Sequence, residues 1–131
     1  MSAPEFPEIT HIVGREEIDV YAAISADHNP LHMDPEYAAR TRFGTVIAHG
    51  PIGLQTVFEM VGSWLGDAAQ GVRIDVLFRG PVRIGDAVTC RAESVEEHAG
   101  DIVLRVRCVN QDAGEVLQAL VVVPRHLAPR A

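Results

Sequence analysis

The chain has 131 residues, 47% of them hydrophobic, and 18 acidic against 11 basic side chains give a net charge of −7. That length supports one core-forming domain over 1–131, and the acidic balance argues against general nucleic-acid binding. Every basic residue is arginine, and without lysine both Schiff-base chemistry and a P-loop are excluded.

No apolar run approaches the roughly 20 residues that span a bilayer. The N-terminus carries Glu5 and Glu8 and lacks a signal-peptide pattern. A cytoplasmic protein is therefore expected. Residues 1–7 and 125–131, short and proline-bearing, are expected to be flexible. Glu16 to Ala26, with apolar residues at Ile18, Tyr21, Ala22 and Ile24, predicts an amphipathic helix. Asn29 precedes a proline and is pushed toward extended geometry, so Asp27 to Asp34 should form a loop between helices. Asp34-Pro35 reads as N-cap and first residue of a short helix to about Arg40. Pro51 to Leu65 is the longest apolar helix. Its stripe of Leu54, Val57, Phe58, Val61 and Leu65 is broadened by Ile52 and Met60, with Gly50 at the N-cap and Gly66 at the stop.

Beyond Gly66 the chain alternates with period two. Val72, Ile74, Val76 and Phe78 form one such set, Val88, Cys90 and Ala92 a second, and Ile102, Leu104, Val106 and Cys108 a third. Val116 to Val123 is more continuously apolar, so both of its faces should be covered. His98 to Asp101 and Asp112 to Gly114 read as turns. The expectation is an α+β layout in which an antiparallel meander curls around one buried helix. Cys90 and Cys108 fall in the strands and read as buried thiols rather than a disulfide.

Two segments carry chemistry. Asp27 and His32, five residues apart across Asn29-Pro30, suit an acid/base pair that shares a water. The plainer reading is that Asp27 ends the first helix and His32 makes a loop hydrogen bond. Seventeen residues after His32, Ile47-Ala48-His49-Gly50-Pro51 opens the long helix. Pro51 has no N–H, so Gly50 is the natural donor to a developing oxyanion; a glycine needed only for a tight turn is the alternative. His49 reads as packing or hydrogen-bonding, with a substrate contact as the other possibility. His28 and His32 stand at i, i+4 with Asp27 and Asp34 nearby. Metal binding at that spacing requires a helix, which Pro30 interrupts, so no metal is expected. Arg40, Arg42, Arg73, Arg79 and Arg83 suit a basic rim for phosphates; singly, each reads equally well as a solvated charge.

Taken together, D-H-N-P-L-H-M-D at Asp27 to Asp34, I-A-H-G at Ile47 to Gly50 and F-R-G-P-V-R-I-G-D at Phe78 to Asp86 resemble the MaoC-like (R)-specific enoyl-CoA hydratases and 3-hydroxyacyl-thioester dehydratases of the hot-dog fold. The resemblance implies a single hot-dog domain, its curved antiparallel sheet wrapping the long helix. It implies a homodimer, or a heterodimer with another hot-dog subunit, with an acyl tunnel near the interface. Asp27 and His32 carry over as the catalytic pair and Gly50 as the amide that polarises the thioester carbonyl. Asn29, His49 and Phe58 carry over beside the substrate, Asn29 also holding the loop. Phe58 stands where some members have a serine, and Pro51 replaces a commoner methionine.

The implied reaction is reversible hydration of a trans-2-enoyl thioester to the (R)-3-hydroxyacyl thioester. The substrate is an acyl-CoA or an acyl-carrier-protein thioester. The net charge favours coenzyme A, because acyl carrier proteins are usually acidic. No cofactor, nucleic-acid partner or membrane partner is implied. Two other readings stand beside it: a noncatalytic hot-dog subunit supporting an active partner, and an acyl thioesterase. A scaffold needs neither Asp27 nor His32, and the D-x-N-P-x-H loop points away from the thioesterase branch.

Overall fold

A long apolar helix with little polar surface must be wrapped on several sides, and the sheet of this protein does that. The computed structural model describes residues 6–129. Residues 1–5 and 130–131, parts of the two ends expected to be flexible, lie outside the described residues. The elements are β1 (Ile9–Ile12), α1 (Arg15–Ser25), α2 (Pro30–Met33), α3 (Pro35–Ala39), α4 (Gly50–Leu65), β2 (Arg73–Phe78), β3 (Ala87–His98), β4 (Asp101–Val109) and β5 (Glu115–Pro124). One five-stranded antiparallel sheet has the order β1-β3-β4-β5-β2, and α4 packs against β1, β3, β4 and β5.

The order corrects the expected meander. β3, β4 and β5 do succeed one another, but β2 pairs with β5 at one edge and β1 with β3 at the other. β1 carries no sequence signal because four residues, Ile9 to Ile12, are too short for alternation to register. The β3–β4 hairpin turns through Ala99 (φ 49°) and Gly100 (φ 86°). Two successive left-handed residues match the twist of a two-residue hairpin. A register shift between Ala92 and Ser94 marks a bulge in β3, which lets the strand bend around the helix.

The buried face of α4 is Ile52, Gly53, Thr56, Val57, Met60, Val61 and Leu65. It meets Val88 and Cys90 of β3, Leu104, Val106 and Cys108 of β4, and Leu117, Ala119 and Val121 of β5 in one core. Burying each large side chain contributes about 1.5–3 kcal/mol. Phe58, expected in this stripe, is 51% exposed. The face that the sheet covers runs through the small residues Gly53 and Thr56, where backbone and sheet approach closely, and this turns Phe58 outward. Val116 to Val123 has both faces at least partly covered, as expected: Val116, Leu117, Ala119, Val121 and Val123 are buried, and Gln118, Leu120 and Val122 are half-buried.

Cys90 and Cys108 lie opposite each other across β3 and β4 as free, buried thiols. The hydrogen bond with Cys108, and then burial, push the Cys90 thiol far above the ordinary cysteine range. It stays protonated and serves as a small core side chain.

The turn before β3 ties the sheet to the N-terminal segment. The buried Asp86 carboxylate accepts from Arg83 N (2.8 Å) and Gln111 Nε2 (2.9 Å), its carbonyl accepts from Val13 N, and Gly85 N donates to Val13 O. Gly85, at φ 87°, makes the reversal. Asp86→Ala strands the Arg83 amide and the Gln111 side chain. The expected cost is about 1–3 kcal/mol, read as a lower urea midpoint with an unchanged slope.

Candidate active site

The chain leaves α1 through Ala26, which is left-handed at φ 61°. Ser25 Oγ donates to Tyr21 O and accepts from Asp27 N (3.2 Å), closing the helix and presenting Asp27 to solvent. Asp27 Oδ1 accepts from Asn29 N at 3.3 Å, the local turn that aspartate favours. Asn29 is extended, at φ −53° and ψ 129°, as a pre-proline residue should be. Its Oδ1 accepts from Leu31 N.

From here the structure departs from the expected loop. Pro30 begins a one-turn helix, α2, and His32 sits on it. The asparagine cap and the fixed φ of proline start the turn, and Asp34 ends it by capping α3 through Glu36 N and Tyr37 N. α4 likewise begins one residue earlier than expected, with His49 at the N-cap and Gly50 as the first helical residue.

His32 is oriented from outside its own turn. Its Nδ1 donates to Ile47 O (2.8 Å), while Ile47 N donates to Leu31 O (3.2 Å). A carbonyl can only accept, so in the neutral ring the proton is on Nδ1 and Nε2 keeps a lone pair. His49 is 3% exposed, and its Nε2 donates to Asp27 O at 2.9 Å. Its ring stacks on His32 at 4.0 Å between centroids, inclined by 29°, and lies 4.8 Å from the Tyr21 ring. His49 Nδ1 is buried without a hydrogen-bond partner among the described residues. Leaving such an atom unsatisfied costs about 1–3 kcal/mol.

One nitrogen or carboxylate oxygen from each of Asp27, His32 and His49 lies within 4.8 Å of the others. Such a cluster has the spacing of a metal-ligand set. However, His32 Nδ1 and His49 Nε2 are each held by a backbone carbonyl, which reduces the donors on offer. His28 is not one of the three.

Gly50 is next in the chain. Among the described residues its N–H has no acceptor, and it opens the 16-residue helix α4, whose dipole favours negative charge at that end. A Cβ at Gly50 would lie 3.1 Å from the Phe78 ring. Beside it runs a groove of about 670 Å³, lined by Ile12, Val20, Tyr21, Ile24, Pro51 and Phe58, among others. Phe58 lies roughly 12 Å along the helix axis from Gly50. The arginines are partly committed. Arg73 pairs with Asp75 and Arg79 with Glu115. Arg42 lies over the Phe43 ring, and Arg83 donates to Phe43 O.

The structure thus brings Asp27, His32 and His49 together, with Asn29 as a cap and Gly50 beside His49, and places Phe58 on the groove wall. The contacts of Tyr21, Leu31 and Ile47 were not foreseen. The hydrogen bond between His49 and Asp27 spans 22 residues and leaves no periodic signal in the sequence.

A family model described as a MaoC-like domain matches residues 3–115. The chain is 35% identical over 125 residues to a 3-hydroxybutyryl-CoA dehydratase of Methylorubrum extorquens, covering 89% of this chain and 80% of that protein. It is 38% identical over 78 residues to an (R)-specific enoyl-CoA hydratase of Rhodospirillum rubrum, covering 59% of this chain and 54% of that one. Among solved structures, an (R)-hydratase from A. caviae involved in PHA biosynthesis superposes with a TM-score of 0.76 at 26% identity, covering 94% of this chain and 96% of that one.

Asn29→Ala removes the cap on α2. The expected loss is about 0.5–2 kcal/mol in chemical denaturation, with Asn29→Asp recovering most of it.

Proposed function

The chain belongs to the MaoC-like domain family, and on that premise we propose that it hydrates a trans-2-enoyl thioester reversibly to the (R)-3-hydroxyacyl thioester. The observation that carries this reading is the cluster of Asp27 and His32 within 4.8 Å. That separation suits two groups hydrogen-bonded to a single water. The Nδ1–H tautomer of His32 leaves Nε2 as the base.

In the forward direction His32 Nε2 takes a proton from the water held by Asp27. The water oxygen bonds to C3, and the C2–C3 π electrons move into the thioester carbonyl. The resulting enolate oxygen is met by Gly50 N–H at the start of α4, a donor worth about 2.7–4 kcal/mol of barrier. The carbonyl then re-forms as C2 takes up one proton from the pair. One water is added and no charge is left on the enzyme. Dehydration is the reverse.

Coenzyme A is the proposed carrier, its phosphates matched by Arg42 and Arg83 where they meet at Phe43. The apolar groove beside Tyr21 is the proposed acyl site, with Asn29, His49 and Phe58 beside the substrate. Ile12, Val20, Ile24 and Phe58 are exposed apolar residues, which supports a second hot-dog subunit covering the groove in a dimer. Among the described residues no helix is long and apolar enough to cross a membrane, consistent with the proposed cytoplasmic location. The reaction as proposed uses no metal or cofactor.

The test is loss of enoyl-thioester absorbance with trans-2-enoyl-CoA. Asp27→Asn and His32→Ala should each lower kcat by about 10²–10⁴-fold while the protein stays folded. Wild-type rates in both variants would refute the acid/base assignment.

A further inference from the structure

Asp27 is an exposed loop residue, and its own turn holds it weakly. Its contacts with Ser25 Oγ, at the end of α1, and with Asn29 N are local in sequence and long, at 3.2 and 3.3 Å. Among the described residues, the one hydrogen bond that ties Asp27 to a residue distant in sequence is the 2.9 Å bond that its carbonyl accepts from His49 Nε2. His49 in turn is well anchored. Ala48 N donates to Val82 O (2.7 Å) and Ile84 N to Val46 O (3.4 Å), so the segment before it is fixed to the turn that leads into β3. The same ring stacks on His32.

We propose that His49 is a positioning residue for the Asp27–His32 pair: it ties the Asp27 backbone to the sheet-anchored segment and sets the plane of the His32 ring. The proposal rests on the hydration reading above. A residue chosen for packing alone at this buried position would be apolar. Histidine instead carries Nδ1 without a partner among the described residues, a destabilising choice that the contact with Asp27 explains. The Asp27 contact needs a donor at the far end of the side chain, where Nε2 is, and the His32 contact needs a flat face.

Three variants separate these contributions. His49→Phe keeps the flat ring and loses the donor. His49→Gln keeps a terminal N–H that reaches Asp27 O. His49→Asn is one methylene too short and stands in if His49→Phe does not fold. With enoyl-CoA, His49→Phe or His49→Asn should lower kcat about 100-fold, the effect expected of a misplacement near 1 Å, with KM little changed. His49→Gln should recover part of that loss, the remainder belonging to the missing ring face against His32. A merely structural role would lower the unfolding temperature without this split between kcat and KM and without rescue by glutamine.

A second measurement does not depend on turnover. Backbone ¹⁵N relaxation of Asp27 and His28 should show a more mobile loop in His49→Phe than in the wild type, and wild-type order in His49→Gln. Unchanged loop order in His49→Phe, or a glutamine variant as impaired as the phenylalanine one, overturns the proposal. If the wild type turns over no enoyl-CoA, the hydration reading fails, and the relaxation data alone still decide whether His49 holds the loop.

Discussion

The segment from Val46 to His49 is held on both sides, and the candidate site depends on that. On one side Ala48 N and Val46 O bond to the Val82 to Ile84 turn; on the other, Ile47 N and O bond to Leu31 and His32. The segment itself forms no more than an isolated bridge, Ile47 to Arg83. Even so, it transmits the rigidity of the sheet to a surface loop. Backbone amides and carbonyls are strong, obligatory partners, and here they fix a segment whose Val46, Ala48 and His49 side chains are also buried. The same chain then becomes the first turn of α4, so the imidazole and the Gly50 amide share one short stretch of backbone.

This arrangement explains why the third motif, Phe78 to Asp86, belongs with the site although it supplies no proposed catalytic group. Asp86 and Gly85 shape a turn whose outer residues, Val82 and Ile84, receive the Val46 to Ala48 segment. Phe78 lies over Gly50, so the start of α4 has a ring beside its Cα. Stability and alignment are therefore coupled: loosening the turn before β3 loosens the seat of His32. The long helix has two unlike faces for a related reason. The sheet takes the face with Gly53 and Thr56, and the opposite side, with Phe58, is left to line an apolar groove.

Much of this was legible in the chain. The alternation at Ile102 to Cys108 and the apolar content of Pro51 to Leu65 announced a sheet around a helix, because both periods are strong and long. Asp27, His32 and Gly50 stood out as candidates because they flank an Asn-Pro step and a His-Gly-Pro step, although a helix end, a loop hydrogen bond and a tight turn were equally open readings of the same residues. Strand order was not legible. β2 pairs with β5 through contacts distant in sequence, and β1 is only four residues long. A packing or hydrogen-bonding His49 was expected, but its partners, Asp27 and His32, could not be seen, since the hydrogen bond and the ring stack exist only once the chain has folded. The outward turn of Phe58 was missed because a hydrophobic stripe on a helix does not say which of its edges the sheet will cover.

Addition of water across a double bond conjugated to a thioester is the central claim. The most direct measurement is mass spectrometry of a trans-2-enoyl-CoA incubated with the protein in water labelled with heavy oxygen and deuterium. The predicted product is an intact thioester carrying heavy oxygen at C3 and deuterium at C2, with the R configuration at C3. Heavy oxygen in a free carboxylate, with coenzyme A released, would mean thioester hydrolysis instead. An enoyl thioester recovered without label would contradict the claim.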